Sequence, residues 1–188
     1  MDKADFIKFV RADLKKQDFK LQFKNSKYIL EKCDSTTIKY SADFDEDTKT
    51  LHVAKKCKSW FQNVIHEYCH FKQFCRKTYC YKVSDKSYKA VSSWLGGKKK
   101  GGIKEHVFNC IAFEREAEMM AVDFINIMSL DISKDDYVRG ANFYLYSWGY
   151  AFKTRKWYDP DPADRVSEMP IKFLETFEYL NPDMKWFE

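Results

Sequence analysis

Two histidines and a glutamate stand at the spacing of a helical metal site. The segment His66-Glu67-Tyr68-Cys69-His70 has the pattern H-E-x-x-H. On an α-helix, residues four apart project from the same face, so both imidazoles can reach one metal ion at about 2.0–2.1 Å. Glu67 then falls beside the metal, where a carboxylate can take a proton from a water that the metal activates. The motif therefore predicts a zinc-dependent hydrolytic site with Glu67 as the general base.

This motif lies in a segment that has the periodicity of an α-helix. Between residues 58 and 76, apolar side chains recur at helical spacing and form one broad stripe that includes Trp60, Val64 and Phe71. The residues around the two histidines are uncharged and mostly apolar, so the inner side of the site would exclude water. The alternative is a surface helix that carries two incidental histidines, and this context disfavours it.

A catalytic zinc usually has three protein ligands and one position open to water. Glu114 and Glu118 are candidates for the third ligand, because they lie one turn apart on a second predicted helix, with small alanines alongside that let this helix approach the first closely. Taken alone, an acidic pair at this spacing is more often a solvated helix face. His106, two turns before Glu114, is a competing candidate and would complete a three-histidine site.

H-E-x-x-H followed on a second helix by E-x-x-A-[D/E], here Glu114, Ala117 and Glu118, resembles the gluzincin metallopeptidases. Over residues 50–125 it is similar to minigluzincin forms and to ImmA/IrrE-like and CAAX-prenyl-endopeptidase-like proteins. The resemblance implies that Glu114 is the third zinc ligand and that Glu118, often Asp in those families, supports a zinc-binding histidine.

The resemblance also implies an activity, the hydrolysis of peptide bonds in a peptide or protein substrate. An alternative is a zinc-binding regulatory module of the ImmA/IrrE type that lacks catalysis. An oxyanion that forms during hydrolysis needs a hydrogen-bond donor, and no motif identifies one here. The candidates on the predicted helix at 134–155 are Tyr144, Tyr146, Tyr150 and Arg155.

The elements that must position these residues predict an α+β fold. Helical patterns cover residues 4–16, 58–76, 104–129, 134–153 and 170–180. Residues 18–54 alternate in the manner of three or four short antiparallel strands. Residues 78–103 have no clear period and are predicted to form a lid or a solvated surface loop. We therefore expect one zincin-like domain over residues 1–188, with a small antiparallel sheet packed on the H-E-x-x-H helix and a helical C-terminal half.

Composition excludes several other classes of protein. A chain of 188 residues that is 45% hydrophobic and 32% charged can build a core and is not disordered. The net charge of +5 is spread along the chain, and no nucleic-acid-binding motif accompanies the Lys98–Lys100 run, so a nucleic-acid partner is disfavoured. The six cysteines form no C-x-x-C pair, and no apolar signal core or membrane span is visible. Reduced thiols in a soluble cytoplasmic protein are the prediction.

Overall fold

The computed structural model describes residues 1–33, 36–157 and 166–187, and in these ranges the chain has the predicted α+β class. The helices in these ranges are α1 (Lys3–Lys15), α2 (Trp60–Arg76), α3 (Tyr79–Leu95), α4 (Ile103–Ile127) and α5 (Lys134–Thr154). The strands are β1 (Lys20–Lys24), β2 (Ile29–Cys33), β3 (Thr36–Tyr40), β4 (Ala42–Asp45) and β5 (Thr50–Ala54). Short 3-10 turns follow at Val166–Glu168, Glu178–Leu180 and Met184–Phe187.

The chain forms two compact units. The first comprises Met1–Cys75 and Asp123–Asp131, and it contains α1, all the described strands and nearly all of α2. The second comprises Arg76–Val122 and Ile132–Glu188, and it contains α3, most of α4, α5 and the C-terminal turns.

The three-stranded sheet of the first unit is mixed, so the prediction of a purely antiparallel sheet is wrong. Its strand order is β1-β5-β4; β4 runs antiparallel to β5, and β1 runs parallel to it. Strands β2 and β3 form a separate antiparallel pair. The turn of the β4–β5 hairpin is stabilised by residues close in sequence, because the Asp45 carboxylate accepts hydrogen bonds from the backbone N–H groups of Asp47 and Thr48. The β1–β5 pairing places Lys20 opposite Thr50. These residues are far apart in sequence, so no local sequence pattern predicts that they pair.

Aromatic rings attach this sheet and α1 to α2. The ring of Phe19, just before β1, lies 5.4 Å from that of Phe71 between centroids, and Phe44 of β4 lies 6.1 Å from the same ring. On α1, Phe6 meets Phe61 edge to face at 5.7 Å. Such pairs add about 0.5–1.5 kcal/mol each beyond the area that they bury. They hold the helix that carries H-E-x-x-H in a fixed orientation.

A half-buried carboxylate on α1, that of Asp13, ties that helix to α2. Asp13 accepts hydrogen bonds from the Tyr68 hydroxyl at 2.7 Å and from the Lys72 ammonium at 2.9 Å. Burial by itself would raise the pKa of Asp13, but these bonds and one from Lys16 outweigh it and lower the pKa to about 2. Tyr68 lies between His66 and His70, and Lys72 comes two residues after His70, so the contact fixes α2 near the predicted metal-binding residues.

Residues 78–103 are mostly helical, so the prediction of an irregular lid or surface loop is wrong over most of this stretch. Thr78 caps α3 by accepting a hydrogen bond from the Tyr81 backbone N–H at 3.2 Å. The buried residues of α3 are Ser84, Ser87 and Val91. Their spacing of three and four positions is helical, but two of them are serines. A pattern of apolar residues therefore does not reveal this face.

The second unit has a core to which α3, α4, α5 and the C-terminal turns all contribute. Its buried members are Val91, Val107, Cys110, Ile111, Phe143, Leu145, Tyr146, Trp148, Met169, Tyr179, Leu180 and Phe187. Because the last four belong to the C-terminal segment, that segment is part of the core and not an appended tail.

The predicted helix at residues 170–180 is not formed. In this stretch the backbone runs through turns, and only Glu178–Leu180 makes a 3-10 turn. The buried Asn142 side chain on α5 donates hydrogen bonds to two carbonyl oxygens of the segment, at 2.7 and 3.0 Å. The Leu174 N–H donates to the Tyr179 hydroxyl at 3.0 Å. These backbone groups bind side chains, so an α-helix is not needed to satisfy them.

A glycine on α5 permits the close approach of the C-terminal segment. A Cβ atom added at Gly149 would lie 1.9 Å from the Tyr179 carbonyl oxygen and 2.8 Å from Pro182 Cδ. We expect Gly149→Ala to lower the free energy of unfolding by about 3 kcal/mol or more, because a backbone group would have to move. Gly140→Ala on the same helix meets no atom within 4 Å, and we expect it to stabilise by about 0.5–1 kcal/mol. Thermal unfolding of both variants checks this; equal melting temperatures would contradict it.

Two further observations concern the apolar length of the helices and the state of the cysteines. None of the helices in the described ranges is long and apolar enough to cross a membrane. The cysteines whose side chains are described are not joined in disulfides; they are Cys57, Cys69, Cys75, Cys80 and Cys110. Cys33 lies outside the described side chains.

Candidate metal site

The two histidines of the motif converge on α2, as their spacing predicts. Their Nε2 atoms lie 3.0 Å apart, and their rings are nearly perpendicular, at 87°. His70 is buried and His66 is half-buried. A tetrahedral metal ion at about 2.0–2.1 Å from each nitrogen would hold the two nitrogens about 3.3 Å apart. The observed separation is therefore close to that of a shared metal ion.

A glutamine one turn further along α2 binds the far side of His70. The Nδ1 atom of His70 lies 2.7 Å from the Oε1 atom of Gln73, whose side chain is fully buried. Gln73 is not among the site residues that the sequence predicts. Its position three residues after the second histidine was the available signal, because residues three apart share a helix face.

Glu67 lies between the two histidines in sequence and is only 8% exposed. It follows His66 directly, so it points about 100° around the helix from that ligand. Burying a carboxylate costs folding free energy unless other groups compensate its charge. Glu67 differs in this respect from the exposed acidic residues of the chain. Its predicted role as general base stays a prediction.

Glu114 and Glu118 are both buried on α4, at 4% and 6% exposure. The alternative of a solvated acidic helix face is therefore excluded. The Tyr137 hydroxyl donates a hydrogen bond to Glu118 Oε2 at 2.6 Å. The predicted support of a histidine by Glu118 stays a prediction.

A tyrosine on α3 binds Glu114. The Tyr88 hydroxyl donates a short hydrogen bond to Glu114 Oε1, and its ring packs edge to face on Trp148 and Phe113. Burial of the hydroxyl, and then the charges of Glu114 and Tyr144, raise the pKa of Tyr88 well above its ordinary value. Tyr88 therefore stays protonated and can orient the carboxylate. Tyr88 is not among the predicted site residues because its segment was expected to be irregular.

Three of the predicted residues form a group that could hold a metal ion. His66, His70 and Glu114 each offer one ligand atom, and these atoms lie within 4.8 Å of one another. Among the residues that the structure describes, no other set of three His, Cys, Asp or Glu side chains does so. Two imidazoles and one carboxylate are a donor set that zinc accepts while keeping a fourth position open.

The remaining histidines lie elsewhere. His106, the predicted competitor of Glu114, is not a member of this group, and its Nδ1 atom lies 3.4 Å from the Ser87 hydroxyl. His52 lies on β5; burial and then the nearby charge of Lys24 lower its pKa.

The four predicted oxyanion donors have different surroundings. Tyr146 packs against Tyr179 at 4.9 Å between ring centroids, and Tyr150 stacks on Phe187 at 4.8 Å. The Arg155 guanidinium donates to two backbone carbonyls near the end of α3, at 2.9 and 3.0 Å. These contacts are structural. Tyr144 is partly buried against the core of the second unit, and its charge contributes to the raised pKa of Tyr88.

Comparisons with known proteins add no relative to this picture. No protein-family model, curated protein or solved structure matches the chain. The support for the metal-ligand group comes from its geometry and from the chemistry of its donor atoms. Membership of the gluzincins stays a prediction.

Proposed function

We propose that the chain is a zinc metallopeptidase of zincin-like fold, with His66, His70 and Glu114 as metal ligands and Glu67 as general base. The observation that carries the proposal is the 3.0 Å separation of the two histidine Nε2 atoms on α2, next to a buried glutamate on the same helix. A purely structural metal site would have no need of that glutamate.

The donor set supports zinc over other metal ions. Calcium and magnesium prefer shells made of oxygen atoms, whereas two of the three donors here are imidazole nitrogens. Two histidines and one carboxylate can also bind ferrous iron in oxygenases. The buried acid directly after the first histidine favours zinc, because it supplies the base that hydrolysis requires.

Each residue has a defined task in this proposal. A zinc ion held by His66, His70 and Glu114 would supply Lewis-acid activation of a water and of the substrate carbonyl. Glu67 would take up a proton from the attacking water and would pass it to the amine nitrogen of the leaving group. Tyr88 keeps the Glu114 carboxylate in one orientation, and Tyr144 is the candidate donor to the oxyanion.

The substrate class in this proposal is a peptide or protein, and the expected location is the cytoplasm. Both rest on the motif and composition. A zinc-binding regulatory module without catalysis would share the ligands, so activity and metal binding have to be measured separately.

Metal content after reconstitution tests the proposal directly. Purified protein, stripped with a chelator and incubated with equimolar zinc and ferrous iron under anaerobic conditions, should retain about one zinc per chain. Glu114→Gln should weaken zinc binding at least about tenfold, because it removes the anionic ligand and keeps its shape. Glu116→Gln is the matched control on the same helix and should bind as the wild type does. Absence of bound zinc, or preferential retention of iron, would contradict the proposal.

A further inference from the structure

Gln73 is a buried polar residue for which the proposed reaction has no direct use. Its side chain is completely enclosed, and its Oε1 atom lies 2.7 Å from Nδ1 of His70. An amide oxygen only accepts hydrogen bonds, so the hydrogen atom in this contact belongs to the imidazole. The contact therefore fits a His70 imidazole that carries its hydrogen on Nδ1.

The consequence for the other nitrogen follows from imidazole chemistry. A neutral imidazole carries one N–H and one lone pair. With the hydrogen on Nδ1, the lone pair is on Nε2, the atom that faces His66 Nε2 at 3.0 Å.

We propose that Gln73 is a positioning residue that holds His70 as the Nδ1–H tautomer, with its Nε2 lone pair directed to the metal position. The expected effect of Gln73 on metal affinity rests on the proposed function. Its expected effect on the tautomer of His70 does not. A histidine that binds a metal commonly donates its second ring N–H to an acceptor, which orients the ring. Here that acceptor comes from the same helix, three residues later, so α2 supplies both the ligand and its support.

The tautomer can be measured without any metal. In chelator-treated protein labelled with ¹⁵N-histidine, at a pH where His70 is neutral, two-bond ¹H–¹⁵N correlations distinguish Nδ1–H from Nε2–H. We expect His70 to be the Nδ1–H form in the wild type. Gln73→Met keeps the length of the side chain but removes the acceptor, and should shift His70 toward Nε2–H. Gln73→Glu keeps an acceptor and should retain Nδ1–H.

Zinc affinity is the second readout, measured by competition with a chromophoric chelator. We expect Gln73→Met to weaken zinc binding about 10–100-fold and Gln73→Glu to restore it, as is typical of groups that support a metal ligand. Gln17→Met, the same change at an exposed position, is the control and should leave both readouts unchanged.

The outcomes separate this inference from the proposed function. A wild-type His70 in the Nε2–H form, or an unchanged tautomer in Gln73→Met, would overturn the role of Gln73 even if zinc binds. If the wild type has the Nδ1–H form but binds no zinc, the positioning role stands and the metallopeptidase proposal falls. Should Gln73→Met fail to fold, an Nε2–H form of His70 in the wild type or in Gln73→Glu would still overturn the role of Gln73.

Discussion

The Glu67→Gln variant is expected to keep its fold and its zinc and to lose at least about 10²-fold in peptidase activity. The amide has the same size and shape as the carboxylate, and the two histidines on α2 are untouched. It cannot accept the proton of an activated water, and a positioned base typically contributes 10²–10⁴-fold to a rate. Because Glu67 is only 8% exposed, losing a buried charge should not destabilise the helix.

The measurement compares zinc-loaded wild type and Glu67→Gln on casein or on a peptide library. Autolysis fragments that appear in the wild type and vanish in the variant would serve equally well. Glu116→Gln, the same change on α4, is the control for loss of a carboxylate. Equal activity in both proteins would rule out Glu67 as the base. Zinc-loaded wild type that cleaves no substrate would favour the regulatory binding module.

Replacing either histidine of the motif should have the largest effect on metal binding. We expect His66→Ala and His70→Ala each to weaken zinc binding by about 10³-fold. Zinc sites with four protein ligands have apparent binding free energies of about 10–16 kcal/mol, so one ligand accounts for about 3–4 kcal/mol. Competition with a chelator gives the dissociation constants, and circular dichroism checks that the variants fold.

His106→Ala is the matched control for this experiment. His106 lies near Ser87 and outside the candidate ligand group, so its removal should change zinc affinity less than about twofold. If His106→Ala instead lost the metal while Glu114→Gln kept it, the three-histidine alternative would replace the present ligand set.

Local periodicity was enough to predict the helix at the centre of the site. The apolar stripe at 58–76 corresponds to α2 (Trp60–Arg76), and the geometry of that helix brings His66 and His70 together. The same periodicity predicts α1, α4 and α5, and the predicted ends differ from the observed ends by at most a few residues. These features depend on residues three or four positions apart, so a sequence pattern contains them in full.

Helix α3 was not predicted from the pattern of apolar residues, because its buried face consists partly of small polar residues. Ser84 and Ser87 are buried at helical spacing, but a pattern of apolar residues passes over them. Tyr88 and its hydrogen bond to Glu114 were missed with the helix. Whether a serine is buried depends on the residues that surround it in space, and the residue type alone does not predict it.

Residue types and their spacing are sufficient to predict the reactive groups: a pair of histidines one helical turn apart, an acid between them, and glutamates one turn apart on a second helix. Packing between distant segments establishes that Glu114 and Glu118 are buried, that Gln73 and Tyr88 bind two of the candidate ligands, and that β1 pairs parallel with β5. The physical reason is one of range. Helical spacing is set by hydrogen bonds between residues four apart, whereas burial and strand pairing depend on which distant segments exclude water together.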